Sequence, residues 1–394
     1  VYYGCLIAWK KRWRQWPPYN LHDQGHFKKK MKILYIADST SIHTKRWVNY
    51  FRDGGHDISI ITLGKKRETI PGIRHLANFE QFYYGSPTFL PVLFQVRRIV
   101  GMEKPDILHG HFVHQYGWLA ALSGFHPLVI TAWGTDILNL PEASRLKVGK
   151  YLTQHALKKA DLLTGTSEHL RSEMIRLGAR ADRVHVIFWG VDIDRFRPDV
   201  DSTTLRKKLG IAPEQIVILS NRNHSALYNN DIVIEAMAQV LKSFPQAILV
   251  LQNAGGNLEP QLRSLVRKLG IDASVRFLQQ FNHEDLPALY AMSQIYVSVP
   301  SWDAGPVSLK EAMACGAVPI ISDLPGPGEW VTDEVNGKVV PIRRTDKLAW
   351  AIIDLLSNPG KRTRFSLTNA ELIKENADHI GQMRKMDAFY KSLS

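Results

Sequence analysis

From Met31 onward, short apolar runs rich in β-branched residues alternate with longer stretches of helical periodicity. In the first half these runs cover 32–36, 57–63, 106–109, 127–131, 161–165 and 184–188. Ser167 and Gly178 have the residue types of a helix N-cap and a C-terminal stop, so they bound one of the intervening helices. Alternation of this kind predicts a parallel sheet with helices on both faces.

The same alternation restarts after a polar, turn-prone segment, FRPDVDSTT (196–204), which we interpret as a linker. Apolar runs then follow at 216–220, 247–251, 275–278, 295–299 and 317–321. The 394 residues therefore predict an α/β chain with two doubly wound, Rossmann-like domains over 31–198 and 199–375. A helix over about 376–394 is expected to pack back on the first domain. Because ligands of open α/β sheets bind at the carboxyl ends of the strands, we expect the two domains to face a central cleft.

The first thirty residues differ from the rest of the chain. They carry seven Lys and Arg residues against a single Asp, and thus a large part of the net charge of +13. We predict a disordered N-terminal extension over 1–30. The alternative is an interfacial helix on an anionic membrane, because Trp9, Trp13 and Trp16 recur at helical spacing among basic residues.

Composition narrows the class of protein. The two cysteines provide no disulfide framework, which fits a reducing cytoplasm. No apolar run reaches the ~20 residues that a membrane-spanning helix needs. Residues 31–394 lack a surface of interleaved basic and aromatic residues, so the sequence does not indicate nucleic acid as a partner.

The stretch PSWDAGPVSLKEAMACGAVPII (300–321) follows a predicted strand. Pro306 suits the first turn of a helix and Gly316 suits its end, which predicts a helix of ten residues between two strands. The N-terminus of this helix lies at the carboxyl end of a strand. The free N–H groups of Val307 and Ser308 then form an anion site, and Gly305 permits close approach of a ligand.

Asp303 and Glu311 flank this anion site. Carboxylates beside a phosphate site are suited to accept hydrogen bonds from hydroxyl groups of a sugar or a ribose. The arrangement therefore predicts a site for a sugar nucleotide. On spacing alone, the alternative of a loop acid and a helix-surface acid stays open. Neither half has GxGxxG after its first strand, so a nicotinamide cofactor is not supported.

The segment 300–323, followed by NGKVVP (336–341), resembles the sugar-nucleotide segment of the retaining family-four glycosyltransferases of GT-B fold, the glycosyl transferases group 1. Their pattern is an acid, seven residues and a Glu, ahead of an EAMA-G-P run. Further stretches that resemble the family are 41–63, 119–138, 160–170 and 190–198.

The resemblance implies a cytoplasmic enzyme that transfers a hexose-type sugar with retention. The donor would be a nucleotide-diphosphate sugar of UDP or GDP type, and the acceptor a glycan or lipid-linked intermediate of cell-surface polysaccharide biosynthesis. It implies no cofactor and no metal. A peripheral position on an anionic membrane surface is kept open, because 89–100 is apolar and ends in Arg97 and Arg98; core packing is the alternative for that stretch.

When the family's residue roles are carried over to this sequence, Asp303 would bind hydroxyls of the donor sugar and Glu311 would bind the ribose. Arg222, in ILSNRNHSALYNN, would neutralise the leaving diphosphate, as a guanidinium is suited to do. The backbone that would face the diphosphate is that of Gly305, Pro306, Val307 and Ser308. The residues that match a turn near the donor in the first domain are Gly134, Thr135 and Asp136.

Three departures from the family pattern bear on activity. The first acid is Asp303 where Glu is usual, a Lys that commonly follows the Arg is missing, and Trp133 replaces a His that many members carry. The missing Lys leaves the departing diphosphate with one cation fewer. His111, in HGHFVHQYG, is our candidate for a catalytic residue that substitutes for it. The alternative is that His111 is a structural histidine. These departures also leave open a non-catalytic protein that binds a sugar nucleotide.

On the acceptor side, the candidates are His43 and Arg46, which follow the first strand; a solvated helix start is the alternative. Retaining transfer in this family is pictured as a front-face displacement, in which the donor's own phosphate takes the acceptor proton. The scheme requires no nucleophilic side chain, and the DxD spelled by Asp192 and Asp194 is interpreted as a chance match.

Overall fold

The computed structural model describes residues 30–64, 68–80, 88–138, 147–253, 255–278 and 281–394. The extension predicted over 1–30, with its alternative as an interfacial helix, lies outside them apart from Lys30. The described chain forms two compact units. The first comprises the described residues up to Trp189 together with Ile380–Ser394, and the second is Gly190–His379. The stretch predicted as a linker, 196–204, lies within the second unit.

Within the described residues, the first unit contains a seven-stranded, fully parallel sheet. In chain order its strands are β1 (Lys32–Ile36), β2 (Asp57–Leu63), β3 (Arg74–Phe79), β4 (Ile107–His111), β5 (Leu128–Thr131), β6 (Leu162–Gly165) and β7 (Val184–Val186). Their spatial order is β3-β2-β1-β4-β5-β6-β7. The central strands are buried on both faces, which explains their continuous apolar sequences.

The helices of the first unit are α1 (Ile42–Asp53), α2 (Phe89–Glu103), α3 (Trp118–Ser123), α4 (Thr135–Leu138), α5 (Lys147–Lys159) and α6 (Glu168–Arg176). Side chains fix where two of them begin. Ser41 accepts a hydrogen bond from the His43 N–H and caps α1. Ser167 accepts one from the Leu170 N–H and caps α6, at the residue predicted from sequence.

The second unit contains a six-stranded parallel sheet over the described residues. Its strands are β8 (Ile216–Asn221), β9 (Ala247–Gln252), β10 (Val275–Leu278), β11 (Ile295–Ser298), β12 (Val318–Ser322) and β13 (Lys338–Val340), in the spatial order β10-β9-β8-β11-β12-β13. Its helices are α7 (Thr203–Lys208), α8 (Asn230–Val240), α9 (Glu259–Leu269), α10 (Leu286–Ala291), α11 (Val307–Ala314), α12 (Pro325–Gly328), α13 (Thr345–Ser357) and α14 (Pro359–Asn376). Two doubly wound Rossmann-like domains were predicted, and this fold class is confirmed.

The C-terminal helix α15 (His379–Leu393) contributes to the core of the first unit. Its Met383, Met386 and Tyr390 are fully buried. The Tyr390 hydroxyl contacts the Tyr35 hydroxyl of β1 at 3.1 Å and His109 Nδ1 of β4 at 2.5 Å. Polar and apolar contacts thus hold α15 to the sheet.

No helix in the described part of the chain has the length and apolar content needed to cross a bilayer.

Strand order reverses between β1 and β4 in the first sheet and between β8 and β11 in the second. At such a switch point the loops after the two central strands leave in opposite directions and open a crevice, where ligands of doubly wound sheets bind. In the first unit these loops follow Ile36 and His111. In the second they follow Asn221 and Ser298, and the second pair carries the strongest candidate site.

Candidate active site

Arg222 and Asp303 lie together at the switch point of the second sheet. Arg222 directly follows β8, and Asp303 lies in the loop after β11. Arg222 Nη2 lies 2.5 Å from Asp303 Oδ2, and Nη1 donates to Ser308 Oγ of α11 at 3.1 Å. The two charged side chains are only 9% and 13% exposed. The structure therefore brings together three residues that the sequence predicted for the donor site.

Aromatic residues surround the Arg222 guanidinium. Its Cζ lies 4.4 Å from the centre of the Tyr228 ring, and the Tyr296 hydroxyl donates to Ser308 Oγ at 2.9 Å. Burial disfavours the charged form, but the Asp303 carboxylate, Tyr296 and Tyr228 outweigh it and raise the pKa of Arg222. The site thus holds a permanent, oriented cation that is suited to bind phosphate oxygens.

The turn from Asp303 to Pro306 leads directly into α11. Asp303 Oδ1 accepts a hydrogen bond from the Gly305 N–H at 3.1 Å, and Gly305 has a φ of +124°, which explains the glycine. Pro306 is extended, with ψ 141°, and is the N-cap instead of a residue of the first turn. The helix therefore has eight residues and not the predicted ten. Pro306 has no capping side chain, so the first N–H groups of α11 remain suited to an anion.

Glu311 lies on the second turn of α11 and is only 5% exposed. Its Oε2 accepts a hydrogen bond from the Tyr290 hydroxyl at 3.4 Å, and that hydroxyl accepts one from Asn221 Nδ2 at 2.7 Å. Glu311 is thus a buried carboxylate and not a helix-surface acid. The Asn221–Tyr290 chain ties it to the end of β8, next to Arg222.

Several residues of this site were not predicted. Tyr228, Tyr290 and Tyr296 pack around the charged groups, and Lys310 is fully buried within α11. Lys310 was detectable in principle, because it is a charged residue inside the small and apolar stretch VSLKEAMA. The tyrosines cannot be told apart in the sequence from aromatic residues of the hydrophobic core, so nothing marks them as site residues.

In the first unit, His111 ends β4 at the switch point and its side chain is fully buried. Its ring packs 4.9 Å from Trp47 and 4.4 Å from His109. Neither ring nitrogen has a hydrogen-bond partner among the described residues. Burial, and to a lesser extent His43, lowers the pKa of His111 to about 3. His111 is therefore a neutral imidazole that retains one donor and one acceptor.

His43 lies at the start of α1, half-buried against the indole rings of Trp189 and Trp133 at 4.3 Å and 5.9 Å. His43, Trp133 and His111 are thus neighbours in one aromatic cluster. Arg46 lies three residues further along α1 and is also half-buried. The structure brings the predicted acceptor-side residue His43 close to the predicted His111.

The predicted turn Gly134–Thr135–Asp136 is held by its own acid. Asp136 is fully buried, and its Oδ1 accepts hydrogen bonds from the Gly134 and Trp133 N–H groups at 2.8 Å and 3.0 Å. Its Oδ2 accepts one from the Val113 N–H at 2.7 Å. Burial raises the pKa of Asp136 to about 6 despite these bonds. The carboxylate joins the loops after β4 and β5; within the turn Gly134 is buried and Thr135 is exposed.

The loop after β4 contains unusual backbone conformations. Phe112 and Gln115 have φ values of +84° and +42°, which are costly for residues with a Cβ. The segment also packs tightly, because a Cβ on Gly110 would lie 3.0 Å from Gly117 Cα. Strain of this kind persists where surrounding contacts enforce it.

No cluster of three His, Cys, Asp or Glu side chains arranged to hold a metal occurs in the described part of the chain.

Comparison with known families gives two matches. Residues 201–372 match the family described as glycosyl transferases group 1, and residues 32–167 match the family described as glycosyl transferase 4-like. The first match contains Arg222, Asp303, Ser308 and Glu311. The second contains His43, His111 and the turn at Gly134.

Curated relatives agree with these matches. A D-inositol 3-phosphate glycosyltransferase 2 of Catenulispora acidiphila is 30% identical over 298 residues, which cover 68% of this chain and 67% of the relative. A D-inositol 3-phosphate glycosyltransferase of Rhodococcus jostii is also 30% identical, over 65% of this chain and 60% of its own length.

A solved structure has the same fold. The Anabaena HepE protein in complex with UDP and glucose superimposes with a TM-score of 0.77 at 21% identity. The alignment covers 92% of this chain and all of HepE. At this identity the likeness concerns the fold.

Proposed function

The chain belongs to the group 1 glycosyltransferases of GT-B fold, and on that premise we propose that it transfers a hexose-type sugar, with retention, from a nucleotide-diphosphate sugar to a glycan or lipid-linked acceptor. The pathway we propose is cell-surface polysaccharide biosynthesis. One observation carries the proposal: a buried Arg222–Asp303 pair and the uncapped N-terminus of α11 meet at the switch point of the second sheet.

In this proposal the donor diphosphate binds the Arg222 guanidinium and the first N–H groups of α11. The ribose hydroxyls donate to Glu311, and hydroxyls of the donor sugar donate to Asp303, which is partly open to solvent. The nucleotide is of UDP or GDP type. The UDP-bound Anabaena structure makes UDP the first to test.

The proposed chemistry is a front-face displacement. The acceptor oxygen forms its bond to the anomeric carbon on the face from which the diphosphate departs, and the acceptor proton passes to the departing phosphate oxygen. Arg222 and the α11 N-terminus stabilise the charge that develops on that diphosphate. No cofactor and no metal takes part in this scheme.

The acceptor is proposed to bind the first unit, at the carboxyl ends of β1 and β4. His43 and His111 lie there with Trp133 and Trp189. Arg46 follows His43 by three residues in α1. Neutral imidazoles and indole rings are suited to sugar hydroxyls and sugar faces, and Arg46 is suited to a phosphate on the acceptor. The relatives named for D-inositol 3-phosphate make phosphorylated polyols the first acceptors to test.

The proposed location is cytoplasmic, at the inner face of an anionic membrane. Helix α2 exposes Leu90, Phe94 and Met102 by 61%, 64% and 63%, and α5 exposes Val148 and Tyr151 by 52% and 65%. Helix α3 packs against both. Among the described side chains of these two helices, the exposed basic residues are Arg97, Arg98, Lys150, Lys158 and Lys159. Apolar side chains among lysines and arginines fit an anionic lipid surface.

Co-sedimentation with lipid vesicles tests this membrane face. The double variant Leu90→Asp, Phe94→Asp is expected to lose binding to vesicles that contain phosphatidylglycerol. Leu367→Asp, at an equally exposed leucine of α14, is the matched control and should bind as the native chain does. Equal binding by all three proteins, or binding that does not depend on the phosphatidylglycerol content of the vesicles, would contradict the membrane proposal.

Turnover with defined products tests the transfer itself. Purified protein is incubated with UDP- and GDP-hexoses and with phosphorylated polyol, glycan and polyprenyl-linked acceptors, and the product's anomeric proton is assigned by NMR. A product with the donor's anomeric configuration is the expected result. An inverted product would overturn the retaining mechanism. Nucleotide binding without any product would favour the non-catalytic alternative, to which Trp133 and the missing Lys point.

A further inference from the structure

Lys310 occupies an unusual place for a lysine. It lies inside α11, between Leu309 and Glu311, and its side chain is fully buried. Lysines are almost never fully buried without compensation, because removing an ammonium from water is energetically unfavourable. A residue kept there at that cost requires a specific set of partners.

The partners of the Lys310 ammonium are two backbone carbonyls of the turn that precedes α11. Nζ lies 3.3 Å from the Gly305 oxygen and 3.4 Å from the Pro306 oxygen. It also lies 5.2 Å from the centre of the buried Trp330 ring. The ammonium therefore lies beneath the turn that carries Asp303.

One of these bonds has a geometric consequence. The Pro306 carbonyl and the Val307 N–H belong to the same planar peptide unit and point in opposite directions. The Lys310 ammonium binds the Pro306 carbonyl oxygen and so fixes the direction of that carbonyl. The Val307 N–H, on the opposite side of the same peptide unit, then points outward from the helix N-terminus. Pro306 provides no side-chain cap there, so this N–H is available for an anion.

The tight packing of the turn supports this role. A Cβ on Gly326, in α12, would lie 2.6 Å from the Ala304 carbonyl carbon, so α12 presses directly against the turn. Glu329 follows α12 and is 6% exposed. The turn is thus held by α12 on one side and by Lys310 on another.

The charged groups that interact with Lys310 come from three elements. They are Asp303 from the loop after β11, Glu311 from α11 itself and Glu329 after α12. Burial lowers the pKa of Lys310 to about 8, against the opposing effect of these three acids. The ammonium therefore predominates at neutral pH and loses its proton around pH 8.

We propose that Lys310 is a positioning residue for the donor diphosphate, which holds the peptide units of Gly305 and Pro306 so that the α11 N-terminus receives the anion. This inference rests on the proposed donor site and extends it. Since the bound anion favours the ammonium form, nucleotide affinity is full below about pH 8 and falls as the pH rises above it.

The test is calorimetric titration of the protein with UDP and GDP from pH 6.5 to pH 9.5, for the native chain and Lys310→Met. Met has a similar length without the charge. The stability of the variant is expected to be lower, because Asp303, Glu311 and Glu329 lose a buried positive partner. We expect a lowered thermal midpoint in a protein that still folds, an affinity about tenfold lower at pH 7, and no fall in affinity above pH 8. Transfer assays should show the loss mainly in the KM for the donor.

Lys338→Met is the matched control, because Lys338 is a second buried lysine of the same unit, 2% exposed and 2.6 Å from Asp354 Oδ2. It should not alter nucleotide affinity. A Lys310→Met protein with native affinity and native pH dependence would overturn the inference and leave the donor site standing. If the native chain binds neither nucleotide, the donor site itself fails. If Lys310→Met does not fold, a native affinity that stays constant up to pH 9.5 would overturn the inference.

Discussion

The Arg222 guanidinium and the Asp303 carboxylate form a nearly buried ion pair, with Nη2 2.5 Å from Oδ2, that joins the ends of β8 and β11. The same guanidinium reaches Ser308 Oγ in α11. One side chain therefore sets the mutual position of a strand end, a loop and a helix N-terminus. A donor that binds here meets a preformed arrangement, which is the condition for electrostatic stabilisation of a leaving group.

Arg222→Lys is expected to fold and to lose activity. A lysine keeps the positive charge but cannot donate to Asp303 and Ser308 in the same planar geometry. We expect kcat/KM for transfer to fall by about 10²- to 10³-fold, with a small change in the thermal midpoint. Steady-state kinetics check this. A lysine variant with native kcat/KM would show that the bridging geometry is not needed.

Asp303→Glu introduces the longer acid that the family resemblance led us to expect, and tests whether this site is fitted to the shorter one. Asp303 Oδ1 and Oδ2 are both engaged, by the Gly305 N–H and by Arg222. An added methylene displaces the carboxylate by about 1 Å, which is expected to lower kcat on the order of 10²-fold. Single-turnover rates measure this. An equal or faster glutamate variant would contradict a site fitted to Asp303.

His111→Phe is expected to make the protein more resistant to acid. The pKa of His111 is about 3 in the fold against about 6.5 in an unfolded chain, so the unfolded state binds the proton first. Stability that is present above pH 6.5 is therefore lost as the pH falls toward 3. The native chain should lose about 2 kcal/mol through His111 between pH 7 and pH 5, and His111→Phe should not.

Denaturant unfolding of the first-unit transition at pH 7 and pH 5 measures this difference. His155→Phe provides the control, because His155 is far less buried and its imidazole is partly solvated. An unfolding free energy with the same pH dependence in His111→Phe and in the native chain would show that His111 is not a buried neutral imidazole.

Tyr390→Phe is expected to destabilise the first unit without affecting donor binding. Its hydroxyl contacts His109 Nδ1 and the Tyr35 hydroxyl, and it accepts a bond from Trp47 Nε1 at 3.4 Å, all fully or almost fully buried. Removal leaves buried polar atoms unpaired, which costs about 1–3 kcal/mol. Chemical denaturation should show this loss, whereas Tyr151→Phe, at an exposed tyrosine, should be neutral.

Most strands were predictable because buried strands of a parallel sheet are continuous apolar runs. The bounds of β1, β2 and β10 coincide with the predicted runs 32–36, 57–63 and 275–278. Strand β3, RHLANF, was not predicted. It lies at the sheet edge and is at most half-buried, so its sequence carries no continuous apolar signal.

The sequence predicted which residues belong to the site but not which of them contact each other. Motif and strand order place Arg222, Asp303 and Ser308 at the same sheet edge, because carboxyl ends of neighbouring parallel strands converge. The pairing of Arg222 with Asp303, 81 residues apart, depends on side-chain packing that no local pattern encodes. The same holds for Asp136, which was predicted as part of a turn near the donor but whose oxygens bind the loop backbone.

Calorimetric binding of UDP, GDP and UDP-glucose to the native chain, to Glu311→Gln and to Glu371→Gln tests whether Glu311 belongs to a nucleotide site. Glu311 is buried beside the Arg222 pair, whereas Glu371 is an exposed acid of α14 in the same unit. We expect one nucleotide to bind the native chain and Glu371→Gln equally, and Glu311→Gln about 10- to 100-fold more weakly. Equal affinities in all three proteins, or no binding to the native chain, would contradict the donor site at Asp303 and Glu311.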